Sequence, residues 1–197
     1  MEESTKNKWD RRYRTSERAP ETATVLRENI HLLPTSGRAL DLACGLGSNA
    51  LALARHGLDT AAWDQSPIAI ETLFDRAKSE QLRVNTDVRD VVASPPEPDA
   101  FDVVIVAHFL ERSLSKALVE TLRVGGLLCY QTFIRASVDD KGPSNPAHRL
   151  GDNELLSLFV PPLRLRVYRE EGTMGDTRVG FRNLALMIAQ KIRPQWE

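Results

Sequence analysis

The chain has 197 residues, with 26 Lys and Arg against 27 Asp and Glu and a formal charge of −1. That length fits one domain with a full core, spanning 1–197, and the balanced charge disfavours nucleic acid and anionic membrane as partners. The longest apolar run, Val103 to Ala107, falls far short of the roughly 18 residues a membrane helix needs, and the polar N-terminus is unlike a signal peptide, so a cytoplasmic protein is expected.

Residues 1–20 are polar and uneven in charge, with Lys6, Lys8, Arg11, Arg12, Arg14 and Arg18 outnumbering Glu2, Glu3, Asp10 and Glu17. Trp9 and Tyr13 stand four apart, which puts both on one face of a helical turn. From Thr22 to Leu32 the positions Ala23, Leu26 and Ile30 follow helical spacing, and Pro34 with Gly37 ends that element. Residues 1–35 therefore read as a helical arm and cap.

An apolar strand through Leu40-Asp41-Leu42 then meets Ala43-Cys44-Gly45-Leu46-Gly47, two glycines one residue apart at a strand-to-helix turn. Glycines there let the backbone approach a ligand closely, and the first amides of the new helix are free to donate to it. Ala50, Leu53 and Ala54 carry that helix to Gly57, a natural C-terminal cap. A strand from Leu58 to Trp63 ends in Asp64; Ser66 caps and Pro67 opens a helix bearing Ile70, Leu73, Phe74 and Ala77. A third strand, Leu82 to Thr86, ends in Asp87, and Pro95-Pro96-Glu97-Pro98 marks a loop.

Phe101 to Ala107 is β-branched and nearly all apolar, as expected of a central parallel strand covered on both faces. A helix from about Ser115 to Leu122 leads through Gly125-Gly126 to a fifth strand, Leu127 to Phe133. Residues 135–151 form a long polar loop leaving that strand, a candidate lid. Asp152 then caps a short helix with Leu155, Leu156 and Phe159. Leu163 to Val167 alternates as a half-exposed strand, and Val179 to Gln190 reads as the last strand, closing an antiparallel hairpin. Cys44 and Cys129 fall in segments that read as buried, and the four histidines lack ligand spacing, so neither a disulfide framework nor a metal site is expected. Strands alternating with helices predict an α/β fold whose ligand lies outside the carboxyl ends of the strands.

Gly45-Leu46-Gly47-Ser48-Asn49-Ala50 fits the loose dinucleotide pattern, so an NAD-dependent dehydrogenase is one reading. Asp41 separates the candidates, because a carboxylate at that turn repels a pyrophosphate and attracts a cation. S-adenosyl-L-methionine, with its adenine, ribose and sulfonium, fits better. Asp64 is placed to accept from the ribose hydroxyls and Asp87 from the adenine amine, with the Val88 amide facing a ring nitrogen. For each acid the plain alternative is capping of the helix that follows.

These residues, with Trp63-Asp64, Thr86-Asp87-Val88 and Phe101-Asp102-Val103-Val104-Ile105 ahead of Gly125-Gly126, make residues 38–134 resemble the class I S-adenosylmethionine-dependent methyltransferases. Within that class the chain is most similar to the small tellurite-resistance and thiopurine-type enzymes, through Trp9-Asp10-x-x-Tyr13, Ala62-Trp63-Asp64 and Arg178-Val179-Gly180-Phe181-Arg182. Two departures are Ala43, where the class usually has glycine, and Thr173-Met174-Gly175-Asp176, where the tellurite group carries a His-Arg pair. Alanine is expected to be tolerated unless the backbone needs positive φ there.

The resemblance implies a Rossmann-like three-layer sandwich, with a seven-stranded, mostly parallel sheet and an antiparallel last strand. It implies that Asp41, Ala43, Gly45, Gly47 and Asn49 surround the methionine part and that Asp64 and Gln65 serve the ribose. Asp87 and Val88 go to the adenine, Ala107 and His108 to the transferred methyl, and Trp9 and Tyr13 close over the cofactor. The expected activity is methyl transfer to a small-molecule acceptor, a thiol or a metalloid oxyanion such as tellurite, leaving S-adenosyl-L-homocysteine. His108 is the candidate base, while Arg178, with Arg182, Arg135 and Arg149, could guide an anion. A non-catalytic S-adenosylmethionine-binding interaction module is the other alternative, and either a monomer or a homodimer is compatible.

Overall fold

The computed structural model describes residues 5–15 and 20–193. Of the uneven N-terminal charge, Glu2, Glu3, Glu17 and Arg18 lie outside the described residues, as do the side chains of Lys6 and Lys8. Seven strands form one sheet: β1 (Arg38–Leu42), β2 (Asp59–Asp64), β3 (Val84–Val88), β4 (Phe101–Ala107), β5 (Leu122–Phe133), β6 (Arg164–Glu170) and β7 (Leu184–Gln190). Their order is β3-β2-β1-β4-β5-β7-β6, with β7 antiparallel to both neighbours and the remaining pairs parallel. Strand order reverses between β1 and β4, the place where open α/β sheets bind ligands.

The period of two along each strand sorts the core into two layers. Ala39, Val103, Ile105 and Cys129 face one way, toward α2 (Thr24–Arg27), α3 (Ser48–His56) and α4 (Pro67–Ser79). Leu40, Leu42, Val104, Val106, Leu128 and Tyr130 face the other, under α5 (Ser115–Thr121) and α6 (Glu154–Phe159). The result is the expected three-layer α/β sandwich. An arm helix, α1 (Thr5–Arg14), lies against α4.

Several boundaries differ from the sequence reading for local physical reasons. The helix expected over Thr22 to Leu32 is broken into α2 and a 3-10 turn at Ile30–Leu32, because Asn29 Nδ2 takes the Val25 carbonyl at 3.0 Å. The last strand begins at Leu184 rather than Val179. Asn183 stands at φ 64, and the Arg182 guanidinium gathers the carbonyls of Gly172, Asp176 and Val179, so residues 179–183 turn instead of extending. Asp152 does not cap α6: Asn153, in the left-handed region, precedes it, and Glu154 accepts the Gly151 amide at 2.7 Å. β5 starts five residues early, at Leu122, and runs through the Gly125-Gly126 pair beside a register shift against β4.

Candidate active site

β1 and β2 end side by side, and β3 ends beside β2; register sets Asp41 against Ala62, Trp63 against Asp87 and Asp64 against Val88. Asp64 crosses from β2 to the glycine turn. Its Oδ2 accepts the Gly45 amide and its Oδ1 the Ser66 amide, both at 2.9 Å. Each oxygen keeps a further lone pair for a hydroxyl donor. Burial outweighs these two bonds and raises its carboxyl pKa, with the Asp10 charge acting the same way. Gln65 is half-buried beside it, and Asp87 and Val88 are exposed at the end of β3.

Asp41 is deeper than the sequence implied, 1% exposed, and its Oδ2 accepts the Ala50 amide in the first turn of α3 at 2.9 Å. The capping alternative therefore holds for Asp41. Its charge still bears on the site: burial, with the Asp64 charge, drives its pKa well up, against hydrogen bonds from Ala50 and Asn49. Asn49 also accepts the Ala23 amide at 2.9 Å, tying the segment after the arm to this turn.

The turn itself is wound left-handed at alternate residues, with φ of 56 at Ala43, 51 at Gly45 and 77 at Gly47. A side chain at Gly47 would collide with Leu73 of α4. Ala43 does therefore occupy a positive-φ position, the one condition under which alanine was expected to be a poor replacement for glycine. Over the turn lies α1. Trp9 and Tyr13 stack with centroids 5.7 Å apart, and the Tyr13 hydroxyl is 3.0 Å from where a Cβ on Gly45 would be. Burial first, then the Asp64 charge, pushes the Tyr13 phenol up. Ser66, which caps α4, donates to Asp10 of the arm.

Across the switch point, β4 delivers Ala107 and His108. His108 stands at φ 56, its amide donates to the Gln131 carbonyl at 2.8 Å, and its ring lies 5.3 Å from that of Phe133. Burial, and then the Arg12 charge from the arm, lowers its pKa and so favours the neutral imidazole. Beyond Phe133 opens a cavity of about 400 Å³ lined by Lys141, Arg178, Arg182, Asn183 and Leu184 among others. Arg178 is exposed and forks onto Asp176 with both contacts at 2.9 Å. Arg149 does something else. Nearly buried, it donates to the carbonyls of Lys141 and Pro143 at 2.7 Å and of Ile134 at 3.0 Å, so the loop of residues 135–151 is wound around it. The Arg135 guanidinium donates to the Pro146 carbonyl, at 3.4 Å.

A larger cavity, about 740 Å³, lies at the opposite end of the sheet, between His31, Asp102, Gly125 and Gln190. Its place at the amino ends of the parallel strands puts it away from the three acids and the glycine turn, and the smaller cavity adjoins His108 through Phe133. Among the described residues no three His, Cys, Asp or Glu are placed to hold a metal ion, and no helix is long and apolar enough to cross a membrane. Arg149 and Gln131 were not assigned these positions from sequence. The one signal available for Gln131 is a polar residue interrupting an otherwise buried strand.

Strand order, reversed last strand and acid-lined glycine turn together define a class I S-adenosylmethionine-dependent methyltransferase fold. Residues 39–126 match the family described as "Methyltransferase domain". The chain is 31% identical over 112 residues to the probable S-adenosyl-L-methionine-dependent methyltransferase TehB of Haemophilus influenzae, covering 54% of this chain and 38% of that protein. The crystal structure of TehB from Haemophilus influenzae superposes with a TM-score of 0.68 at 24% identity, over 94% of this chain and 66% of that one. Hemagglutinin 1 of Eikenella corrodens is 37% identical over 78 residues, 40% of this chain and 26% of that protein. The chain thus spans well under half the length of these two curated relatives.

Proposed function

We propose that this protein transfers the methyl group of S-adenosylmethionine to a small acceptor held beside His108 and Phe133. The observation that supports the reading is Asp64, whose two oxygens join the Gly45 turn to the Ser66 cap and retain lone pairs that ribose hydroxyls could use. The donor set fits the cofactor: buried acids for a cation, a glycine turn for close approach, and exposed Asp87 and Val88 for the adenine. When bound, the cofactor supplies an electrophilic methyl on a sulfonium sulfur.

The chain's own residues then align the nucleophile and exclude water. Trp9 and Tyr13 cover the turn from outside, and Gly45, Gly47 and Asn49 shape its floor. Asp41 holds the first turn of α3 and, when ionised, adds negative potential without needing contact with the cofactor. Neutral His108 accepts the proton of a thiol or hydroxyl nucleophile, whereas an oxyanion needs only the positive potential of Arg178 and Lys141 around the cavity. A thiol or a metalloid oxyanion such as tellurite is the acceptor class that this lining supports, and the TehB relative agrees with methyl transfer. Residues 5–15 and 20–35 act as the cap and residues 135–151 as the acceptor-side wall. The two buried free cysteines fit a reducing cytoplasm.

Calorimetric titration with S-adenosylmethionine, S-adenosylhomocysteine and NAD tests the reading. Binding of both sulfur compounds, with turnover on a thiol or oxyanion, is expected. Binding of NAD alone would overturn it in favour of a dehydrogenase, and binding without turnover on any acceptor would favour an interaction module.

A further inference from the structure

β5 carries a polar residue where an apolar one belongs. Gln131, between Tyr130 and Thr132, is only 2% exposed. Register sets it opposite Ala107 of β4 and Leu186 of β7. It shares the α2-facing side of β5 with Phe133 and lies one row inside the Phe133–Leu184 pair that lines the acceptor cavity. Its backbone carbonyl holds the His108 amide, so the residue is built into the wall from which His108 projects.

The side chain turns toward the arm, and Oε1 accepts the Val25 amide at 2.8 Å. That donor fixes the amide's orientation, because the oxygen rather than the nitrogen must face the Val25 N–H. Nε2 is then left without an acceptor among the described residues. Nor is it sealed in: among the described residues the buried side-chain atom that lacks both a partner and exposure is His56 Nε2, so the Gln131 amide keeps an accessible edge. A side-chain amide buried to this degree is ordinarily paired, and an unpaired donor on the strand that holds the His108 amide is free to meet a ligand's acceptor.

We infer that Gln131 belongs to the acceptor site, where Nε2 donates a hydrogen bond to an oxygen of the bound acceptor and so selects oxyanions or carboxylates over acceptors that present sulfur alone. This rests on the methyl-transfer reading above. Arg178 and Lys141 attract charge from exposed positions around the cavity, but a neutral donor on a central strand adds direction, and an acceptor without a matching oxygen leaves that donor buried and unpaired. Discrimination of that kind exceeds what apolar fit provides.

The test uses the full chain saturated with S-adenosylhomocysteine, with sodium sulfite as oxyanion probe and ethanethiol as sulfur probe. In a nitrogen–proton correlation spectrum, the side-chain NH2 pair that disappears in Gln131→Glu identifies the residue. That pair is expected to shift on adding sulfite and to stay in place on adding ethanethiol. Gln131→Glu retains an oxygen for the Val25 amide, so it is expected to fold and to bind S-adenosylhomocysteine within about twofold of wild type, while its sulfite affinity falls at least about tenfold. In turnover the loss appears in KM for an oxyanion acceptor rather than in kcat. A Gln131 pair that is unmoved at saturating sulfite overturns the assignment, as does a Gln131→Glu protein that binds sulfite like wild type, or a wild-type complex that binds no sulfite. Wild-type protein that fails to bind S-adenosylhomocysteine overturns the methyl-transfer reading, and this assignment with it.

Discussion

Asp64 at the end of β2 accepts the backbone amide of Gly45 at 2.9 Å, so the acid proposed for the ribose also fixes the left-handed glycine turn beside it. The proposed cofactor contact and the turn geometry thus share one side chain. Asp64→Asn keeps one acceptor oxygen but sets an NH2 against a backbone N–H, and it removes the charge. S-adenosylmethionine affinity is expected to fall about 10–100-fold, or about 1.5–3 kcal/mol, while the protein stays folded. Asp64→Ala should lose more and also melt earlier. Calorimetry with a parallel melting curve checks both, and an Asn variant with wild-type affinity would remove the ribose assignment.

Ala43 adopts φ 56 two residues before Gly45. An L-residue with a Cβ is strained there, and glycine is relaxed, although it loses more backbone entropy on folding. Ala43→Gly should come out ahead by about 0.5–1 kcal/mol, raising Tm by roughly 2–3 °C in a chain of this size. Differential scanning calorimetry decides it. A lower Tm would mean that packing of the Ala43 methyl against its apolar neighbours outweighs the strain.

The Asp41–Asp64 pair is expected to make both stability and cofactor choice depend on pH. An ordinary aspartate titrates near 3.8, whereas burial, and behind it the Asp64 charge, lets folded Asp41 hold its proton to higher pH. Between those two values the folded state binds more protons than the unfolded state, so this group's contribution weakens as pH rises from about 4 toward the folded pKa. Asp64 shifts in the same direction. A cation bound nearby favours the ionised acids. S-adenosylmethionine is therefore expected to release protons on binding, and its affinity relative to neutral-sulfur S-adenosylhomocysteine should rise with pH over that interval. Calorimetry in two buffers of different ionisation enthalpy measures the protons, and Asp41→Asn should shrink the difference between the ligands. Equal proton release by the two would count against a role for this pair.

The sequence made the strand ends legible because each acid follows an apolar run, and runs of that kind have few ways to sit in a sheet. Asp41, Asp64 and Asp87, the left-handed glycine turn, the Ser66-Pro67 helix start and the antiparallel close could all be read from local pattern. How deep each acid lies could not. Asp41 and Asp64 look equivalent in sequence, yet the side of the turn on which each emerges separates a helix-holding acid from one bridging two loops. The long-range work of the arginines was also hidden. Arg135, Arg149, Arg178 and Arg182 were all candidates for anion guidance, but the guanidiniums of Arg149 and Arg182 are occupied by backbone carbonyls of aperiodic segments, and that of Arg135 reaches the Pro146 carbonyl. No periodicity foretells which carbonyls a loop will turn inward. Gln131 was passed over because its neighbours fixed the strand and left its open amide unremarked.

Arg149 gives the sharpest test of whether the loop of residues 135–151 is wall or lid. Its guanidinium satisfies carbonyls of Ile134, Lys141 and Pro143, and Arg112 joins the same segment by donating to the Ala147 and Arg149 carbonyls and forking onto Glu154. The loop is therefore built around a buried cation whose donors are matched to inward-facing oxygens. Arg149→Met keeps much of the apolar stem but leaves three carbonyls without donors. It should cost roughly 3 kcal/mol and lower Tm by about 6–12 °C. Because Val138, Asp139 and Lys141 line the acceptor cavity, the variant should also raise KM for the acceptor while S-adenosylmethionine affinity, set at the other strand ends, is retained. Hydrogen exchange is expected to quicken across residues 136–148 and to stay at the wild-type rate in β1 and β2. Unchanged exchange in that loop would show that Arg149 is not what fastens it, and an equal loss of cofactor affinity would show that the wall and the cofactor turn are not independent.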